Sequence, residues 1–171
     1  MFQAFDNPGA GRPLQRAQWM ALLARAPLDL LEPALRDHLA RPARWLRAPE
    51  TGLMMVQGRA GGTGERFNLG EVTVTRCALR VQAESGEEGE ATVGVGYVLG
   101  RSQRHVHLAA LADALLQDPA QQSALDAELL TPLRRHLADQ QARRRARAAS
   151  TKVDFFTVAR ESGSDDGEES E

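Results

Sequence analysis

The sequence predicts an α+β fold, with helices at both ends of the chain and a small, mainly antiparallel sheet of about four strands between them. Two observations carry this. Leucines recur at helical spacing before residue 40 and again after residue 102, whereas residues 43–99 hold Val-, Thr- and Met-rich runs broken by glycines and charges. At 171 residues the chain suits one domain with a real core. Residues 1–12 read as a flexible lead-in, residues 13–160 as a single α+β domain, and residues 161–171 as a disordered acidic tail.

Each element has its own signal. Between Pro13 and Ala26, Leu14, Trp19, Leu22 and Leu23 share a helical face, with Arg16 and Arg25 off it. Leu28, Leu31, Leu35 and Leu39 continue the period to Ala40, but Pro33 is comfortable only in a first turn, so that helix starts late or is kinked. The strand runs are Gly52 to Arg59, Val72 to Val81 and Thr92 to Leu99, with Ala43 to Ala48 as a fourth. Val93, Val95, Tyr97 and Leu99 share one face of the third run. Its other face carries Gly94, Gly96 and Val98, which admits a close approach by a backbone or a ligand. Glu84 to Glu90 reads as an exposed hairpin loop. Ser102 is the expected N-cap of a helix through Leu108, Leu111, Ala112 and Leu115, ended by Asp118-Pro119. A last helical region covers Gln121 to Ala149, with an interruption at Thr131-Pro132.

Charge narrows the function classes. The chain has 21 basic and 23 acidic residues, but six of the acids lie in the tail from Glu161 to Glu171, so the body is mildly basic. Arg143-Arg144-Arg145-Ala146-Arg147 lacks the aromatic interleaving of a nucleic-acid surface and reads as a solvated helix end. Cys77 is the only cysteine, which excludes an intramolecular disulfide. With no signal-like apolar start and no apolar run of bilayer length, it points to a cytoplasmic protein without membrane insertion.

The most informative stretch is Arg59-Ala60-Gly61-Gly62-Thr63-Gly64-Glu65-Arg66. Glycine permits positive φ or a close ligand approach, and arginine presents a planar fork to phosphate or carboxylate oxygens. Neither a P-loop nor a dinucleotide fingerprint fits: no Gly-Lys-Ser/Thr follows, and Phe67 stands where a third glycine is needed. An oxyanion loop and a turn pinned at a subunit contact both remain open. His105 and His107, two apart on a helix, point about 200° apart and cannot share a metal ion. Arg101, just before the Ser102 cap, sits where helix N–H groups favour anions, and Arg76 and Arg80 share one strand face. Phe155 and Phe156, ahead of the acidic tail, suggest partner docking. No nucleophile-base constellation can be argued from spacing, so no catalytic residue is assigned.

Taken in order, several blocks resemble the PhnG subunit family of the bacterial carbon-phosphorus lyase system. They are Arg16-x-x-Trp19-Met20, Glu50-Thr51-Gly52-Leu53, Arg59-x-Gly61-Gly62-Thr63-Gly64-Glu65-Arg66-Phe67 and Gly70-Glu71-x-Thr73-x-Thr75-Arg76. Gly96-Tyr97-Val98-Leu99-Gly100-Arg101, His105 with Ala110-Leu111-x-Asp113-Ala114, and Val153-Asp154-Phe155-Phe156-Thr157 complete the set. Pro33, the acidic stretch Glu84 to Glu90 and the tail from Glu161 depart from the pattern. The resemblance implies a non-autonomous subunit of a core complex with PhnI, PhnH and PhnJ, associated with the ATPase-like PhnL and PhnK. That complex would transfer the ribose 5-triphosphate moiety of MgATP to methylphosphonate with release of adenine, this chain binding no cofactor or metal itself. Arg59, Gly61, Gly62, Thr63, Gly64, Glu65, Arg66, Arg76, Tyr97, Arg101 and His105 are then candidates for substrate or partner contact. The alternative is a purely architectural subunit that never meets substrate.

Overall fold

The computed structural model describes residues 16–82 and 91–152. Compactness divides the chain into two units, Met1–Leu137 and Ala138–Glu171. The first opens with helices α1 (Arg16–Leu23) and α2 (Leu28–Leu35), then a 3₁₀ turn at Arg36–His38. Strands β1 (Ala43–Arg59), β2 (Arg66–Gln82) and β3 (Ala91–Leu99) follow, and then α3 (Gln103–Leu116), α4 (Pro119–Leu125) and a π turn at Asp126–Leu130. Helix α5 (Thr131–Ser150) starts in this unit. Its residues 138–150 belong to the second unit, where Arg143, Arg144, Arg145 and Arg147 make a helix with no apolar stripe.

The strands form one antiparallel sheet in the order β1-β2-β3. Three strands replace the expected four because Ala43 to Ala48 and Gly52 to Arg59 are two parts of β1, joined through register shifts between Trp45 and Arg47 and between Arg47 and Glu50. Pro49, which cannot donate to a ladder, sits in this irregular stretch of an edge strand. Pro33 lies inside α2, which starts at Leu28 and gives way to the 3₁₀ turn directly after Leu35. Glu84 to Glu90, Phe155, Phe156 and the acidic tail lie outside the described residues.

Helix α3 lies on one face of the sheet and is the centre of the core. Val106, Leu108, Leu111, Leu115 and Leu116 are buried with Leu79, Val81 and Val98 of the sheet, and Leu23, Leu31, Leu35, Leu125, Leu129, Leu130 and Leu133 close around them. The approach is close because of Gly94 and Gly96. A Cβ at either would fall on a backbone carbonyl oxygen of α3, Ala110 in one case and Val106 in the other. Ser102 caps α3 as expected, its Oγ accepting from His105 N at 3.1 Å, and Asp118 caps α4 with Pro119 in the first turn.

A buried carboxylate ties three elements together. Asp113 of α3 is fully buried and accepts from Arg16 Nε and Nη2 (3.1 and 2.7 Å), Trp19 Nε1 (2.8 Å) and Val95 N (2.9 Å). The hydrogen bond to Asp113 raises the pKa of the Arg16 guanidinium above its ordinary value. The carbonyl of Val93 accepts from Arg16 Nη2 and Gln117 Nε2. Side chains thus take the outward polar groups of β3 at Val93 and Val95, which protects that edge against pairing with another strand.

Candidate functional site

The β1–β2 hairpin continues past the last β2–β3 pair, Val74↔Leu99, as a two-stranded ribbon from Leu53↔Thr73 to Arg59↔Arg66. At ~3.3 Å per residue it projects roughly 20 Å. Leu53, Met54, Met55, Phe67 and Leu69 expose between 46% and 66% of their surface along it. A lone two-stranded ribbon is marginal in water, and exposed apolar groups this dense mark an interaction surface.

The arginine-glycine stretch is the ribbon's tip. Ala60–Gly62 forms a 3₁₀ turn with Gly61 at φ 59° and Gly62 at φ 81°, conformations open to glycine at little cost. Gly64 N donates to Ala60 O at 2.9 Å and Arg59 Nη1 to Gly64 O at 3.4 Å, so one arginine braces the turn. Arg66, paired with Arg59 across the ladder, is exposed, as are Thr63 and Glu65.

Arg76 and Tyr97 occupy a second place. They are cross-strand partners on the sheet face opposite α3, about 30 Å along β2 from Arg66 at ~3.3 Å per residue. Arg76 Nε donates to Glu50 Oε1 at 2.7 Å and Arg47 Nη1 to the same oxygen at 2.9 Å. The bond from Arg76 holds the Glu50 carboxyl below the usual carboxylate range, and Glu50 in turn raises the Arg76 guanidinium. A surface depression of about 310 Å³ lies here, lined by Glu50, Leu53, Met54, Val74, Arg76 and Tyr97 among others. Sequence reasoning passed over Glu50 and Arg47 as a site, since three residues apart on a regular strand they take opposite faces. The register shifts bring them together.

His105 and Arg101 lie elsewhere. His105 Nε2 is 2.8 Å from Leu23 O, joining α3 to the end of α1, and Arg101 is exposed in the turn that follows Gly100. His107 points away toward β1, its ring 4.9 Å from that of Trp45, and burial lowers its pKa. Cys77 is buried with Sγ donating to Val106 O, and burial pushes its thiol up to about 11. The eleven candidates therefore fall in three separate places: the ribbon tip, the open face of the sheet and the start of α3.

An α+β body with one covered sheet face and a projecting apolar ribbon defines a class, a protein built to be completed by a partner. Comparison with known proteins gives the family. The family described as phosphonate metabolism protein PhnG matches residues 14–161, and the chain belongs to it. It is 41% identical over 147 residues to the alpha-D-ribose 1-methylphosphonate 5-triphosphate synthase subunit PhnG of Rhizobium meliloti (strain 1021), covering 85% of this chain and 89% of the relative. No helix among the described residues is long and apolar enough to cross a membrane.

Proposed function

We propose that this chain is a non-autonomous subunit of an alpha-D-ribose 1-methylphosphonate 5-triphosphate synthase, supporting transfer of the ribose 5-triphosphate moiety of MgATP to methylphosphonate with release of adenine. The observation that carries this reading is the ribbon. Five large apolar side chains stand exposed on a segment that no core element among the described residues supports, beside a relative named as a subunit. The ribbon docks into PhnI, the subunit nearest the nucleoside chemistry, and PhnH and PhnJ complete the core. At its tip, Arg59 holds the turn, leaving Arg66 and the Gly61 to Gly64 backbone to shape the neighbouring subunit's site.

The test is co-expression of the full chain with the other subunits of the phosphonate gene set. Wild type should co-purify with PhnI, and Leu53→Gln with Leu69→Gln should abolish that recovery without lowering the melting temperature of the isolated chain. Arg66→Ala should assemble and slow adenine release. Assembly with an unchanged rate would assign the chain a purely architectural role, and failure to recover any partner with wild type would overturn the reading.

A further inference from the structure

We propose that the open face of the sheet binds a polyphosphate chain, gripped by Arg44 and Arg80, with the sugar it carries seated in the depression beside Arg76 and Tyr97. The proposal rests on the synthase reading above for the sugar, and on the geometry of the face for the phosphates.

Cross-strand rows define the face. Arg44 pairs with Arg80, which pairs with Val93; Glu50 pairs with Arg76, which pairs with Tyr97. On β2 these positions alternate with Cys77, Leu79 and Val81, which are buried against α3, so Arg76 and Arg80 stand on the opposite side. Like charges directly opposite each other on a sheet destabilise it. Among the described residues neither Arg44 nor Arg80 has a carboxylate partner, whereas Arg47 and Arg76 share Glu50. Among the described residues of these rows, Arg44, Arg47, Arg76 and Arg80 against Glu50 leave a net charge of three positive units. With no described carboxylate between them, Arg44 and Arg80 repel each other across the strands, the pattern expected of residues kept for an anionic ligand.

The ligand class follows from the donors. Arginine forks match phosphate oxygens bidentately, and the Arg80 and Arg76 rows lie about 13 Å apart at ~3.3 Å per residue, a spacing that long side chains close around a string of phosphates. A single phosphate would engage only one row. The depression at the second row offers the Tyr97 ring and the Met54 and Val74 side chains as an apolar wall, with Arg76 and Glu50 as polar groups. A sugar 5-triphosphate fits that order of chemistry: phosphates toward Arg44 and Arg80, sugar toward Tyr97.

Titration calorimetry of the full chain with sodium tripolyphosphate at low salt tests the phosphate grip directly. Tripolyphosphate should bind at least tenfold more tightly than orthophosphate, and Arg44→Gln with Arg80→Gln should weaken it at least tenfold. The charge-matched control, Arg143→Gln with Arg144→Gln on α5, should stay within twofold of wild type. Without ligand, the Arg44/Arg80 variant should melt at or above the wild-type temperature, which separates a lost grip from a lost fold. No measurable tripolyphosphate binding, equal loss in the control, or loss only in Arg59→Gln with Arg66→Gln would overturn the proposal. So would a single-stranded oligonucleotide that binds through Arg44 and Arg80 and is not displaced by tripolyphosphate. Arginine-dependent binding by a chain that recovers no partner would sink the synthase reading alone; normal assembly without that binding would sink this inference alone.

Discussion

Replacing Asp113 with asparagine should destabilise the chain sharply, although it changes the side chain by a single group. The carboxylate is fully buried, and each of its oxygens accepts two hydrogen bonds: Oδ1 from Arg16 Nε and Trp19 Nε1, Oδ2 from Arg16 Nη2 and Val95 N. Asparagine keeps the shape but turns one acceptor into a donor. In either orientation its NH₂ group meets two donors. Hydrogen bonds to a charged group are worth about 1.5–3 kcal/mol each, and breaking a buried ion pair costs about 3–5 kcal/mol. The Arg16 side chain is 42% exposed and regains water, so the lower end applies, about 3 kcal/mol.

For a chain of this size that is a fall in Tm of about 6–12 °C, at about 2–4 °C per kcal/mol. Thermal and urea unfolding of the full chain measure it. Arg16→Leu tests the mechanism through a double-mutant cycle, because each single change leaves the other charge without its counterpart. The double variant should therefore cost less than the sum of the two. Hydrogen exchange adds a local reading: the Val95 amide, which donates to Asp113 and not to a strand, should lose protection in Asp113→Ala, which removes both acceptor oxygens. A Tm drop below about 2 °C, additive single costs, or an unchanged Val95 amide would refute the assignment of Asp113 as the clamp between α1, α3 and β3.

Gly94→Ala places a Cβ against Ala110 O and 2.8 Å from Ala114 N, so α3 must shift; a loss of about 3 kcal/mol is expected, while Gly52→Ala, with open space around its Cα, should cost little by comparison in the same urea titration. Thr75 Oγ1 donates to Gly100 O at 2.7 Å and meets Thr51 Oγ1 at 3.0 Å, so Thr75→Val should cost about 1–2 kcal/mol by stranding that carbonyl, and a neutral result would refute the bond. The folded pKa of Cys77, about 11, lies above its ordinary value of 9.0, so the thiol's contribution to stability is complete below pH 9 and fades as pH rises through 11. Cys77→Ala should remove that part of the alkaline slope, and a thiol reagent at pH 8 should label the native chain far more slowly than the urea-unfolded chain.

The helical part of the fold was open to sequence reading because its signals are local. Ser102 caps α3 three residues before its bonded amide, and Asp118-Pro119 both ends one helix and starts the next. The glycine-dotted face of β3 also read correctly as a surface for close approach, with α3 as the visitor. The clamp did not show as a clamp, because Arg16 and Trp19 lie 97 and 94 residues from Asp113 and no local period links them. Arg16 looked merely off its helix face. Residues 66–71 escaped the strand signal for a different reason: both faces of the ribbon are exposed, so alternation has no buried side to register against. The open-face arginines were half visible, with Arg76 and Arg80 legible as strand neighbours, but Arg44 and Arg47 join them only through the pairing and bulges of β1.

The separation of core from ribbon gives the arginine-glycine stretch its meaning. Every fully buried large side chain lies outside residues 53–73, so the body folds on α3 and the helices around it whether or not the ribbon has a partner. The ribbon's glycines need only close a turn, which Gly61 and Gly62 do through positive φ, and its exposed leucines, methionines and phenylalanine contribute little until something covers them. Changes in the ribbon should therefore leave the isolated body's unfolding nearly unmoved and act on assembly, while changes around Asp113 or Gly94 act on both. The two arginines at the tip differ in the same sense: Arg59 is bound to the turn it belongs to, and Arg66 is exposed beside it.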